Sequence, residues 1–85
     1  MHYVYVIQHD RTKEIYVGYT TDIKARLRTH NARGEKSTTR TAGTWRIVYL
    51  EIYRSEQDAR NREQRLKHHG SGLRELKKRI THSLL

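Results

Sequence analysis

Glu14-Ile15-Tyr16-Val17-Gly18-Tyr19-Thr20 reads as a strand that runs into a helix start. Under period-two alternation Ile15, Val17 and Tyr19 share one face, while Tyr16 and Gly18 point the other way. A glycine inside a strand marks a bulge, or a place where another backbone or a ligand comes close. Just downstream, Thr21 or Asp22 is suited to cap a helix. Upstream lies a second tyrosine strand, Tyr3-Val4-Tyr5-Val6-Ile7. Tyr3, Tyr5 and Ile7 share a face and Val4 and Val6 the opposite one. A strand apolar on both faces is expected to be central and covered on both sides. The polar connection at residues 9–13 has the length of a hairpin loop.

The helix after Asp22 is expected to reach about Ala32, with Ile23, Leu27 and His30 on its inner stripe and Arg26 beside it. Residues 31–43 are polar and rich in Gly, Ser, Thr, Lys and Arg, and read as a long surface loop with room for a helical turn. A third strand is predicted over Trp45–Tyr53, with Val48, Leu50 and Ile52 on one face and Trp45, Ile47 and Tyr49 on the other. Ser55 with Asp58 resembles a capping box and opens a helix to about His69. Ala59, Glu63 and Leu66 fall on one face of it. A last helix follows Gly70-Ser71-Gly72, with Leu73, Leu76, Ile80 and Leu84 as an apolar seam. The order is β-β-α-β-α-α, an α+β layer architecture in one domain spanning residues 1–85.

Composition bounds the function. The 85 residues carry a net charge of +9, which points to a polyanionic partner, most often nucleic acid. There is no cysteine, so disulfides and thiolate metal sites are excluded. No apolar run approaches the roughly 20 residues of a membrane span, and the chain opens on a strand pattern with no secretory signature. The expectation is a soluble cytoplasmic protein, with no membrane partner and no small-molecule cofactor. The spacing of its histidines matches no zinc pattern.

Glu63 stands out because a carboxylate on a buried helix face must be paired, protonated or bound to a metal. It forms a salt bridge to a nearby Arg, sits at the rim of a rotated helix, or holds a divalent ion in the one-carboxylate manner usual for Mg²⁺. Arg26 either bonds Asp22 one turn back or offers a guanidinium fork to a phosphate. Tyr5 and Tyr16 are either core tyrosines or phenols that act on water near a cation. His30 needs less help than a phenol, since an imidazole ordinarily titrates near neutrality.

Taken together, Tyr3-Val4-Tyr5, Tyr16-Val17-Gly18, Thr20-Thr21-Asp22, Arg26 and His30, continued by Ser55, Ala59, Glu63 and Lys67, resemble the GIY-YIG nuclease domain. The likeness covers nearly the whole chain and is closest to small stand-alone bacterial-type members. It implies a three-stranded antiparallel sheet flanked by helices, and metal-dependent endonucleolytic hydrolysis of DNA in repair or processing. By position it makes Tyr5, Tyr16, Arg26, His30 and Glu63 the catalytic set, with Glu63 holding a single Mg²⁺ or Mn²⁺ and Gly18 structural in the site. Tyr3 stands in place of the motif's first glycine and Val17 in place of its isoleucine. Some members carry an Asn after the metal-binding helix, where Glu75 and Lys77 stand here. The larger relatives have separate DNA-binding domains. Here the grip on DNA, or on RNA, is expected to be weak and salt-sensitive, through Lys24, Arg33, Lys36, Arg40 and Lys67. Two rival readings are a non-catalytic nucleic-acid-binding module and a domain whose basic surface meets an acidic protein.

Overall fold

The structure is a computed structural model that describes residues 1–37, 43–68 and 70–85, without the side chains of residues 33–37. Three strands form one antiparallel sheet in the order β2-β1-β3. They are β1 (His2–His9), β2 (Ile15–Thr20) and β3 (Trp45–Tyr53). Helix α1 (Ile23–Ser37) lies between β2 and β3 in the chain. Helices α2 (Glu56–His68) and α3 (Gly70–Arg79) and a short 3₁₀ turn at Thr81–Ser83 follow β3.

The tyrosine strand β1 is central, and every residue from Val4 to His9 is buried. One sheet face carries Val4, Val6 and Val17 against Ala59 and Leu66 of α2 and Leu76 of α3, and this is the main core. The opposite face carries Tyr5 and is met by α1, whose His30 bonds the Tyr5 phenol at 3.0 Å. The two tyrosine strands therefore separate two layers of helix.

The helix starts follow from local hydrogen bonding. Asp22 Oδ1 accepts from the Ala25 amide at 3.1 Å at the head of α1, and Ser55 Oγ accepts from the Asp58 amide at 3.3 Å at the head of α2. Glu56 and Asp58 sit in the first turn of α2 and Arg65, Lys67 and His68 in its last, matching the helix dipole at both ends.

Three sequence expectations need correction. Helix α1 does not stop near Ala32 but runs to Ser37, so the expected loop is helical in its first half and residues 38–42 lie outside the described residues. Ala32, Arg33, Glu35 and Lys36 are good helix formers, and one internal Gly34 costs only about 1 kcal/mol. Strict alternation on β3 is broken by an irregularity opposite Val6/Ile7, where Val6 pairs Tyr49 and Ile7 pairs Ile47. Val48 is the extra residue of this bulge. Ile47 thereby joins Leu50 and Ile52 on the α1 side, and Val48 packs on the main core instead. Finally, α3 ends at Arg79, so Leu84 follows the helix rather than completing its seam.

A polar clamp joins β3 to α2. Glu51 accepts from the Tyr49 hydroxyl at 2.6 Å and the Tyr53 hydroxyl at 2.5 Å, and Arg62 Nε donates to it at 3.0 Å. Burial alone would raise the Glu51 pKa, but the bonds from Arg62, Tyr49 and Tyr53 outweigh it and hold the carboxyl below its ordinary 4.5. The Tyr53 phenol moves the other way, pushed up to about 12 by burial and by its bond to Glu51. A depressed folded-state pKa makes Glu51 stabilise the fold fully above pH 4.5, with the benefit lost as pH falls through the folded value. Thermal melts across the acid range should show this loss in the wild type and a flatter profile in Arg62→Met. Parallel profiles for the two proteins would refute the clamp's role.

Candidate active site

The site is built around β2, an edge strand of the sheet. Gly18 pairs with Tyr5 across the β1–β2 ladder. A Cβ on Gly18 would fall on Cζ and Oη of Tyr5 and within 2.8 Å of its Cε1. The tyrosine ring therefore lies across the glycine, and no other residue leaves it room. Tyr16, two residues earlier on the same face, stacks its ring 6.4 Å from that of Tyr5. His30 packs edge-on to both rings, at 5.9 Å from Tyr5 and 4.7 Å from Tyr16.

The two phenols differ in environment. Tyr5 is 1% exposed and Tyr16 is 40% exposed. Burial pushes the Tyr5 pKa above its ordinary value, and the neighbouring positive charge of Arg26 offsets this only in part. Tyr5 is thus held as a neutral phenol. Arg26 itself is exposed. The simple alternative of an Arg26–Asp22 side-chain pair is not what forms: the Asp22 carboxylate caps α1 instead.

A cavity of ≈ 370 Å³ passes round β2 and is lined by Tyr16, Gly18, Arg26, Glu63 and Lys67, with Tyr19, Thr20, Thr21 and Arg60 completing its wall. Arg26 enters it from α1 on one side of the sheet, and Glu63 from α2 on the other. Helix α2 lies on the face opposite Tyr5 and Tyr16, yet its carboxylate opens into the same cavity as Tyr16. Glu63 is buried, as its place between Ala59 and Leu66 predicts, with 8% of its surface exposed. Lys67 Nζ pairs with it at 2.9 Å and stands 5.6 Å from the Tyr16 ring centre. Tyr5, Tyr16, Gly18, Arg26, His30, Glu63 and Lys67 therefore gather in one place from four elements. Lys24 is exposed on α1, outside the cavity lining. Arg33 and Lys36 fall where α1 side chains are not described, and Arg40 lies outside the described residues.

Sequence reasoning passed over Asn31, Arg60 and Trp45. Asn31 Oδ1 accepts from the Trp45 amide at 2.7 Å and its Nδ2 donates to the Trp45 carbonyl at 3.3 Å. This two-sided bond ties α1 to the start of β3 next to His30. The signal was hidden because the partner is backbone, 14 residues away.

Among the described residues no cluster of three or more His, Cys, Asp or Glu encloses a metal. One carboxylate in a polar cavity that also has room for water still suits a Mg²⁺-type ion, which usually keeps several of its waters.

A small antiparallel sheet thus places Tyr16, a close-approach glycine, an arginine and a buried glutamate around one cavity, with Tyr5 stacked beside Tyr16. Residues 1–80 match the family model of the GIY-YIG catalytic domain, and the chain belongs to that family. Its members are generally nucleases that act on nucleic acid with a divalent metal. A UPF0213 protein of Staphylococcus haemolyticus is 38% identical over 66 residues, covering 78% of this chain and 79% of that protein. A UPF0213 protein of Haloquadratum walsbyi is 35% identical over 66 residues, covering 78% of this chain and 73% of its own length. The solution structure of a UPF0213 protein from Bacillus halodurans superposes with a TM-score of 0.57 at 27% identity, over 93% of this chain and 85% of that one. The three-stranded antiparallel sheet with flanking helices is the fold expected from the sequence. Among the described residues no helix is long and apolar enough to cross a membrane.

Proposed function

We propose that the chain is a divalent-metal-dependent endonuclease that hydrolyses DNA phosphodiester bonds in repair or processing. The observation that carries this reading is the meeting of Arg26, Glu63 and Tyr16 in one polar cavity, although their helices and strand lie on different sides of the sheet. Glu63, with water, would hold a single Mg²⁺ or Mn²⁺. When bound, that ion supplies Lewis-acid polarisation of the phosphate and stabilises the leaving oxygen.

The chain's own groups do the rest. Arg26 presents its guanidinium to the scissile phosphate and neutralises charge as it builds. Tyr5, kept protonated by burial, is hydrogen-bonded to Nε2 of His30 and fixes the imidazole. Tyr16 is the phenol that solvent reaches, and it positions the attacking water. His30, between the two rings, takes a proton from that water. Water adds to phosphorus, the bond to the leaving strand breaks, and no covalent enzyme intermediate forms. Lys24, Arg33, Lys36, Arg40 and Lys67 supply a weak, salt-dependent hold on the backbone.

One observation favours a second reading, a nucleic-acid-binding module without turnover. The Glu63 carboxylate already has a cation on it, Lys67, at 2.9 Å. Supercoiled plasmid separates the two. Wild type should nick it in Mg²⁺ or Mn²⁺, and Arg26→Ala should slow nicking on the order of a hundredfold. Salt-sensitive DNA binding with no nicking in either metal would select the second reading.

A further inference from the structure

Arg60 lines the same cavity as Arg26 but reaches it from α2. Its guanidinium carbon stands 4.3 Å from the centre of the Tyr19 ring. That ring is itself held. His2 Nδ1 bonds the Tyr19 hydroxyl at 2.7 Å, and the two rings stack with an interplanar angle of 13°. A guanidinium laid on an aromatic face keeps its N–H edges free for an oxygen fork.

The charges in the cavity sharpen the point. Lys67 is matched by Glu63, which leaves two guanidiniums, Arg26 and Arg60. A single phosphodiester carries one negative charge. The outside partner of Arg60 is Glu56, at 3.0 Å, with both side chains more than half exposed, 54% and 57%. An ion pair so open to water is weak and yields readily to a phosphate.

We propose that Arg60 is a second phosphate-binding residue, holding the phosphate next to the one at Arg26. The cavity then recognises a nucleic-acid backbone at least two phosphates long, rather than a single phosphate group. This rests on the nucleic-acid reading of the cavity given above. The Tyr19 ring acts as the shelf that sets the direction of the guanidinium.

The test uses the full chain, without added divalent metal, titrated at low salt with d(TpT) and d(TpTpT) and followed by backbone and side-chain NMR. These carry one and two phosphodiesters. Wild type should bind the longer probe roughly three- to tenfold more tightly, beyond the statistical gain from having two equivalent phosphates. Its Tyr19 and His2 signals should move with the longer probe. Arg60→Ala should keep its affinity for d(TpT) and lose the preference. Glu56→Gln, which frees the guanidinium, should widen it. If Arg60→Ala retains the wild-type preference, the second phosphate site is refuted while the cavity reading stands. If neither probe perturbs Tyr16, Gly18 or Arg26 in the wild type, the cavity reading itself falls, and this inference with it.

Discussion

Glu63→Gln is expected to abolish nicking, a fall on the order of a hundredfold or more, while leaving the fold almost untouched. The substitution keeps the shape of the side chain and removes its charge. On the proposed reading that charge is the metal's anchor, and the electrostatic help lost with it is large. The structural cost is small. The partner Lys67 is 34% exposed and can turn into solvent, so no unpaired charge is left buried, and the neutral glutamine keeps hydrogen-bonding groups where the carboxylate stood. Plasmid nicking and thermal melting, run side by side, check both halves. Equal nicking by Glu63→Gln and wild type would remove Glu63 from the mechanism.

The second large effect is on stability. Gly18→Ala should cost about 2–4 kcal/mol, because the new methyl would sit on the Tyr5 ring, and both the ring and the strand are locked in the sheet. For a domain of this size that is a drop in melting temperature of roughly 10–25 °C. Tyr5→Phe does not relieve it, since the overlap involves Cζ as well as the hydroxyl. In whatever remains folded, the Tyr5–His30 bond should be lost, visible as a change in the His30 ring signals. A melting temperature within a few degrees of wild type would show that the ring moves aside easily.

Much of this arrangement can be read from residue order. Val4 and Val6 opposed to Tyr5 and Ile7 made β1 central, because only a covered strand is apolar on both faces. Glu63 between Ala59 and Leu66 was expected to be buried for the same reason, and it is. Gly18 was expected to mark a bulge or the approach of a backbone or ligand, and what approaches is instead a side chain, the Tyr5 ring. Other features were not readable. The bulge at Val48 depends on how β3 meets β1, which a period-two pattern cannot encode. The extension of α1 past Ala32 runs through helix formers inside a stretch whose polar composition reads as loop, and the Asn31 bond to the Trp45 backbone has no side-chain partner to pair by eye. Arg60 drew no reading from the sequence because its shelf, Tyr19, belongs to a strand far away in the chain. The alternatives at Glu63 did not resolve into one: it is buried rather than at the rim, its salt bridge is to Lys67 and not to the arginine expected, and it is also a wall of the cavity.

The cavity that passes round β2 has a consequence for solubility. A free sheet edge offers unpaired backbone groups to any neighbouring chain, and native proteins guard such edges with charge. Here Arg26, Arg60 and Lys67 stand beside that edge, so groups that the proposed function sets against a phosphate also repel a second copy of the same strand. Neutralising all three together should produce a protein that self-associates as well as one that fails to hold nucleic acid.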